Sequence, residues 1–388
     1  MHTPTRRQAV KSALAFGVVG ATTGFLSGCN NVPSSIKIGV AQPMSGGLAA
    51  LGQDMLNGVK LAVAELNKEG FKIKGQPVTL EIVAVDDRAS SVTGKEVAQQ
   101  LVDAGVVAVI GHLNSGVSID AAPIYAAKNI VQMAISTNPK YCNLGFPTTL
   151  RLVANDTLQA KAIGSYAAGN LNANKFAVVD DATPYGKGLA DGAAEQLTKA
   201  KKEIVLRLSF DDKTTAFDDL AAKMKAAGVE VLVTTLSDFQ VLAILEGLKK
   251  VDYTKMSILG GDTIKTTGML KGAGILQGGI YTTSPILEAR EFPAGVKFLD
   301  SYRAAFKIEP AYGGHYSYDA MYVLAAAIKR AESVDPKVIT ETLRALDGYA
   351  PVTGSMKFDE KGEQRYGVIS VYAIRNGQWE SQVRSDAW

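Results

Sequence analysis

VVAVIGHLNSG, residues 106–116, is an apolar run that stops at a glycine and is followed by Ser115, which stands between Asn114 and a second glycine. A short continuous apolar run of this kind is typical of a strand buried on both faces of a parallel sheet. Residues 117–128 then predict a helix, and residues 130–134 predict a second strand. This strand–helix–strand order predicts an α/β fold and places Ser115 just beyond the end of a strand.

The same unit recurs along the chain and begins again after Arg151. The predicted strands are 36–41, 78–85, 106–110, 130–134, 176–180, 203–208, 229–234 and 257–259. The predicted helices are 53–70, 92–104, 117–128, 157–170, 188–201, 217–227 and 239–250. Two successive parallel-sheet lobes are therefore expected.

The C-terminal third of the chain has a different pattern. Helices are predicted at 293–307, 316–332 and 336–346, and strand-like segments at 355–358 and 366–375. The helical part has too few strands to form a lobe alone, so we expect it to add to a lobe that the earlier chain has formed.

The N-terminus has the features of an export signal. Residues 1–11 carry three basic residues and no acid, and residues 13–26 are apolar or small. Leu26-Ser27-Gly28-Cys29 resembles a bacterial lipobox, which predicts a signal peptide at 1–28, a lipid on Cys29 and a tether at 29–35. An ordinary signal peptide that contains a cysteine is the alternative. The arginine pair at 6–7 leaves both Sec and Tat export open.

Charge and composition argue against several classes of protein. Without residues 1–28 the chain has 38 basic and 38 acidic residues, so it has no electrostatic reason to bind nucleic acid. Cys142 then has no intramolecular partner and is most simply a small buried hydrophobe. His112 and His315 are far apart and show no metal-ligand spacing, so no metal site is expected.

Five polar loops follow predicted strands, where parallel α/β proteins bind ligands. They read GHLNSG (111–116), ISTNP (135–139), DDATPYG (180–186), TTLSDF (234–239) and GGDT (260–263). The sequence has no G-x-G-x-x-G motif after its first strand and no Walker motif, so no nucleotide cofactor is expected. Ser115 lacks the G-x-S-x-G context of a hydrolase nucleophile, although His112 is a conceivable base for it. An exported α/β enzyme is thus the less favoured class.

Several of these stretches together resemble the periplasmic leucine/isoleucine/valine-binding family, the solute receptors of ABC transporters. The resemblance is carried by IKIGVAQPMSGGLAALGQDMLNGVKLAVAELN, VDD, VIGHLNSGVSIDAAPIYAAKNI, ISTNPK and PYGKGLADG, in the family's order. It implies two Rossmann-like lobes joined by three hinge crossings, near Leu152, Thr283 and Ala350. Lobe 1 would comprise residues 36–152 and 284–350, and lobe 2 residues 153–283 and 351–388.

The resemblance also implies the polar contacts of a bound amino acid. Ser115 holds the place of the hydroxyl that binds the ligand carboxylate, next to Asn114 and the first N–H groups of a helix. Thr137 matches a second hydroxyl, flanked by the Ile135 carbonyl and Ser136. Asp262 stands where the family has an acid that faces the ligand ammonium, although it could instead cap a helix.

Three further residues are carried over to the rest of the site. Tyr185 matches a tyrosine that covers the ligand, with a packed core aromatic as the alternative. Leu51 and Leu236 stand where branched-chain binders place aromatics, which suggests a wide apolar pocket. The ligands left open are leucine, a larger apolar or aromatic amino acid and, without an amine, an aromatic acid or a small amide.

The function that the resemblance implies is capture of a solute outside the cytoplasm for an ABC importer. The expected partners are the permease subunits in the inner membrane and, through the lipid anchor, the membrane itself. A sensory ligand-binding subunit is the alternative within the same fold.

Overall fold

The computed structural model describes residues 32–387. The predicted signal peptide and the predicted lipidation site, Cys29, lie outside the described residues. Within the described range, no helix has both the length and the apolar character needed to cross a membrane.

The first sheet has five strands in the order β4-β1-β5-β6-β7, all parallel. Its strands are β1 (Ser35–Gln42), β4 (Thr79–Asp86), β5 (Ala108–Gly111), β6 (Val131–Ala134) and β7 (Thr149–Arg151). A small hairpin, β2 (Lys72–Ile73) and β3 (Gln76–Pro77), lies between the first two of these in sequence. Residues of β5 and β6 are fully buried, as their continuous apolar sequence predicts.

The second sheet has seven strands in the order β16-β15-β12-β11-β10-β8-β9. Its strands are β8 (Lys175–Asp180), β9 (Glu203–Ser209), β10 (Val231–Thr234), β11 (Ser257–Gly260), β12 (Ile280–Ser284), β15 (Ser370–Arg375) and β16 (Gln378–Arg384). The first five in sequence pair in parallel, and β15 and β16 add antiparallel strands at one edge. A second hairpin, β13 (Gly348–Ala350) and β14 (Gly354–Met356), belongs to neither sheet.

Ten helices cover the two sheets in the described part of the chain. They are α1 (Ala49–Lys68), α2 (Ser91–Asp103), α3 (Ser115–Ala126), α4 (Asp156–Gly169), α5 (Pro184–Lys199), α6 (Asp218–Ala227), α7 (Asp238–Lys250), α8 (Gly295–Phe306), α9 (Gly314–Ala331) and α10 (Pro336–Ala345). The two-lobed α/β fold predicted from the sequence is confirmed.

The start of helix α5 differs from the predicted one. It begins at Pro184 and not at residue 188, because the Thr183 hydroxyl caps it by accepting from the Gly186 N–H at 3.0 Å, and proline suits the first turn. Tyr185 therefore lies in the first turn of a helix and not in a loop.

Three strands of the two main sheets were not predicted from the sequence. Strand β7 has only three residues, and β12 contains two threonines and follows two glycines. Strand β16 lies at the edge of its sheet and is largely exposed, so it has no apolar run. Strand β7 exists because its backbone pairs with β6, and β12 because it pairs with β11 and β15, whereas β16 forms a hairpin with β15, the strand just before it.

The C-terminal helices pack with the first sheet, as expected. Side chains of α8, α9 and α10 share one apolar core with α1 and the first sheet. Helices α1 and α9 approach so closely that a Cβ atom on Gly58 would lie 1.9 Å from the carbonyl oxygen of Gly314. This core continues through the second hairpin as far as Phe358, beyond the crossing expected near Ala350.

Candidate functional site

A narrow cavity lies where loops from both sheets meet. Its empty volume, part of which is open to solvent, is about 390 Å³. It is lined by Leu48, Leu51, Leu113, Asn114, Ser115, Ile135, Thr137, Tyr185, Asp262, Thr263 and Tyr312. The loops after β5, β6 and β11 contribute to it because the carboxyl ends of parallel strands share one edge of a sheet.

Seven of the nine residues singled out from the sequence line this cavity. They are Leu51, Asn114, Ser115, Ile135, Thr137, Tyr185 and Asp262. Ser136 and Leu236 do not line it. The Ser136 carbonyl accepts from Arg151, and Leu236 is buried in a core of the second sheet, behind Thr263, whose hydroxyl donates to the Leu236 carbonyl at 2.8 Å.

The apolar wall of the cavity is made by leucines that precede or begin helices. Leu51 is on α1, Leu48 lies just before it, and Leu113 belongs to the GHLNSG loop. Leu113 could have been found from the sequence because it is two residues from Ser115. Tyr312 could not, because it comes from the C-terminal third of the chain and reaches the cavity only through tertiary packing.

Ser115 begins helix α3 and is almost fully buried. Its Oγ accepts from the Asn138 N–H at 3.3 Å, which leaves the hydroxyl proton available as a donor. The first N–H groups of the helix have no intrahelical acceptor and carry partial positive charge. This corner of the cavity therefore suits a negatively charged group.

Asp262, in the loop after β11, gives the cavity a carboxylate, which suits a positively charged group. Its Oδ1 accepts from the Gln159 amide and the Tyr185 hydroxyl, both at 2.9 Å, and its Oδ2 accepts from the Tyr312 hydroxyl at 2.6 Å. Its side chain thus bonds other side chains and does not cap a helix. A carboxylate accepts about four hydrogen bonds, so one acceptor position remains on Oδ2 for a ligand.

The two tyrosines stay neutral donors. Burial, reinforced by the negative charge of Asp262, raises the pKa of both Tyr185 and Tyr312 well above the ordinary range. Tyr185 also packs in a core of the second sheet, so it has a structural role as well as a place in the cavity wall.

Arg151 holds the loop that carries Thr137. Its guanidinium donates to the carbonyls of Ser136 and Asn138, the latter at 2.9 Å, and pairs with Glu363 at 2.7 Å. One fully buried cation therefore fixes the backbone on both sides of Thr137.

His112 is not positioned as a base for Ser115. Its Nδ1 lies 2.7 Å from Asp87 Oδ2 and its Nε2 lies 3.1 Å from the Tyr125 hydroxyl, so both ring nitrogens are engaged. No cluster of potential metal ligands occurs among residues 32–387. Cys142 is free and buried, as predicted.

The fold and the cavity are those of a two-lobed solute-binding protein. The chain belongs to the periplasmic binding protein family, whose model matches residues 35–378. It is 31% identical over 347 residues to the Leu/Ile/Val-binding protein homolog 2 of Brucella abortus, covering 89% of this chain and 92% of that protein.

Solved structures share the fold across nearly the whole chain. The branched-chain amino acid transporter substrate-binding protein LivJ of Streptococcus pneumoniae, in complex with isoleucine, is 27% identical with a TM-score of 0.78, covering 90% of this chain and 98% of that one. The leucine-binding protein LivK of Thermotoga maritima has a TM-score of 0.81 at 24% identity, covering 91% of this chain and 100% of that one. The latter comparison concerns the fold alone.

Proposed function

We propose that the protein captures an apolar amino acid, of the branched-chain or a related type, between two closing lobes and delivers it to the permease of an ABC importer. The observation that carries this proposal is one cavity with an anion-favouring corner at Ser115, an acid at Asp262 and a wall of three leucines. A zwitterion with an apolar side chain needs these three features together.

The ligand carboxylate would accept from the Ser115 and Thr137 hydroxyls and from N–H groups at the start of α3. The ammonium would donate to Asp262 Oδ2 and to the Ile135 carbonyl. The side chain would contact Leu48, Leu51 and Leu113, and each methylene buried there contributes about 0.8 kcal/mol. Tyr185 would cover the ligand, and no cofactor takes part.

The two sheets support hinged lobes. The chain passes from the first sheet to the second after β7, returns to the core of the first sheet with α8, α9 and α10 after β12, and reaches the second sheet again at β15. We place the first two crossings near Leu152 and Thr283, and the third between Phe358 and the start of β15, since residues to Phe358 pack in the first core.

The mature protein would be held at the extracytoplasmic face of the membrane by a lipid on Cys29. This part of the proposal rests on the N-terminal sequence alone. The charged n-region, short apolar segment and lipobox-like residues support it, and either the Sec or the Tat route is compatible with them.

The deciding experiment has two steps. Mass spectrometry of protein purified under native conditions and then denatured identifies any co-purified solute, and titration calorimetry with the protein amino acids, benzoate and small amides ranks affinities. Tight binding of leucine or a close relative supports the proposal. Tight binding of benzoate with no amino acid bound would reject the amino acid and leave the fold assignment intact.

A further inference from the structure

A second acid lies behind the cavity wall. Asp156 is the first residue of α4, after its capping residue Asn155, and only 3% of its surface is exposed. Its backbone N–H donates to the carbonyl of cavity-lining Thr137 at 2.8 Å. Neither carboxylate oxygen has a donor at hydrogen-bonding geometry, although the Thr137 hydroxyl is close enough to favour the charged form. A buried acid so poorly satisfied is costly to ionise.

Helix α4, which carries Asp156, also contacts Asp262, the residue that would receive the ligand ammonium. Gln159, three residues later and so on the same face of the helix, donates to Asp262 at 2.9 Å. The charge of Asp262 acts on Asp156, and the charge of Asp156 acts in turn on Tyr185 and Tyr312. The two acids therefore form one electrostatic cluster at the cavity.

The remaining charges around Asp156 are an ion pair. Arg151 lowers the pKa of Asp156, Glu363 raises it by less, and these two residues pair with each other at 2.7 Å. Burial, followed by the charge of Asp262, raises the pKa of Asp156 from 3.8 to about 8. The uncompensated negative neighbour is thus Asp262.

We propose that Asp156 is a proton-exchanging acid of the ligand site, which releases its proton to solvent when the ammonium group of an amino acid enters beside Asp262. This inference rests on the proposed function. The ammonium would compensate Asp262 and favour the ionised form of the second acid, as in other coupled pairs of carboxyl groups. The ligand carboxylate would be compensated separately, by the Ser115 and Thr137 hydroxyls and the first N–H groups of α3. A ligand with a carboxylate and no amine brings only negative charge and releases no proton.

The test is calorimetry of leucine binding at pH 7 in two buffers that differ in ionisation enthalpy, phosphate and Tris. The dependence of the heat on the buffer counts the protons exchanged. We expect the wild type to release close to one proton per leucine and Asp156→Asn to release none. Below a pH of about 8 the association constant of the wild type should rise with pH by up to about tenfold per unit, and that of the variant should stay level.

Asp319→Asn is the matched control. Asp319 is also buried, its pKa is raised to about 6 by burial, and it accepts from the N–H groups of Val352 and Thr353 away from the cavity lining. This variant should keep the proton release of the wild type. If Asp156→Asn does not fold, Asp156→Ser serves in its place. The number of protons that the wild type releases can be measured without any variant.

A ligand-free measurement tests the acid independently. Folding raises the pKa of Asp156 to about 8, so this residue does not affect stability below about pH 4, where it is protonated in both states. As the pH rises from about 4 to about 8, the unfolded state loses the proton first, and the free energy of unfolding falls. The melting temperature of Asp156→Asn relative to the wild type should therefore increase across this window. A constant difference overturns the inference.

The outcomes separate the two proposals. Leucine binding with equal heat in both buffers overturns the proton release and leaves the proposed function standing. Absence of amino-acid binding with benzoate bound rejects the proposed function, and the ammonium-driven release with it.

Discussion

The Tyr312 hydroxyl donates to Asp262 Oδ2 at 2.6 Å, and the two residues belong to different lobes. Tyr312 packs in the core of the first sheet, whereas Asp262 follows β11 of the second. The bond therefore spans the cavity, and it presents the acid that we assign to the ligand ammonium.

Removal of this hydroxyl should weaken the closed form. For Tyr312→Phe we expect amino-acid affinity to fall by about 1.5 to 3 kcal/mol, the usual contribution of a hydrogen bond to a charged group. Tyr302→Phe is the control, because the Tyr302 hydroxyl donates to buried Asp54 at 2.7 Å away from the cavity. That variant should lose stability in denaturant unfolding but keep its affinity in calorimetry. Equal losses of affinity in both variants would contradict the assigned role of Tyr312.

Loss of the acid should cost more than loss of one hydroxyl. Asp262→Asn is expected to weaken amino-acid binding by about 2 to 5 kcal/mol, because one member of a buried charged pair is removed. Ser115→Ala should cost about 1.5 to 3 kcal/mol. Calorimetry of leucine with both variants checks this order. Tight binding of an acid that lacks an amine, unchanged in Asp262→Asn, would show that the ligand class is wrong.

Ligand binding should close the lobes and stabilise the fold. The Asn138 side chain already donates to the Pro184 carbonyl at 2.6 Å, joining the loop after β6 to the start of α5. Ligand at 100 times its Kd should add about 2.7 kcal/mol to the free energy of unfolding. The melting temperature should rise and the radius of gyration from X-ray scattering should fall. Identical scattering with and without bound ligand would exclude hinge closure.

Anchoring should depend on Cys29 alone. Cys29→Ser should release or misprocess the protein in cells while its ligand affinity stays unchanged, because residues 32–35, the part of the tether that the structure describes, do not line the cavity. Fractionation followed by mass spectrometry of the mature N-terminus makes the measurement. An unmodified wild-type N-terminus at another residue would refute the lipobox interpretation.

Much of the fold and part of the cavity could be predicted from the sequence. Apolar runs such as residues 106–110 indicate buried parallel strands, and the loops that follow them hold Ser115, Thr137 and Asp262 because strand ends share one edge. Short strands such as β7 and the start of α5 escaped prediction, because pairing with a distant strand and a threonine cap determine them more than periodicity does.

The sequence by itself determined most of the order of elements and the class of fold, since both depend on local patterns of apolar and polar residues. Only the tertiary structure decided that Leu236 is core, that Leu48 belongs to the cavity wall, and that Tyr312 bonds Asp262 across 50 residues of chain. It also buried Asp156 beside Thr137. Burial and proximity between distant segments arise from packing, and no local pattern of residues encodes them.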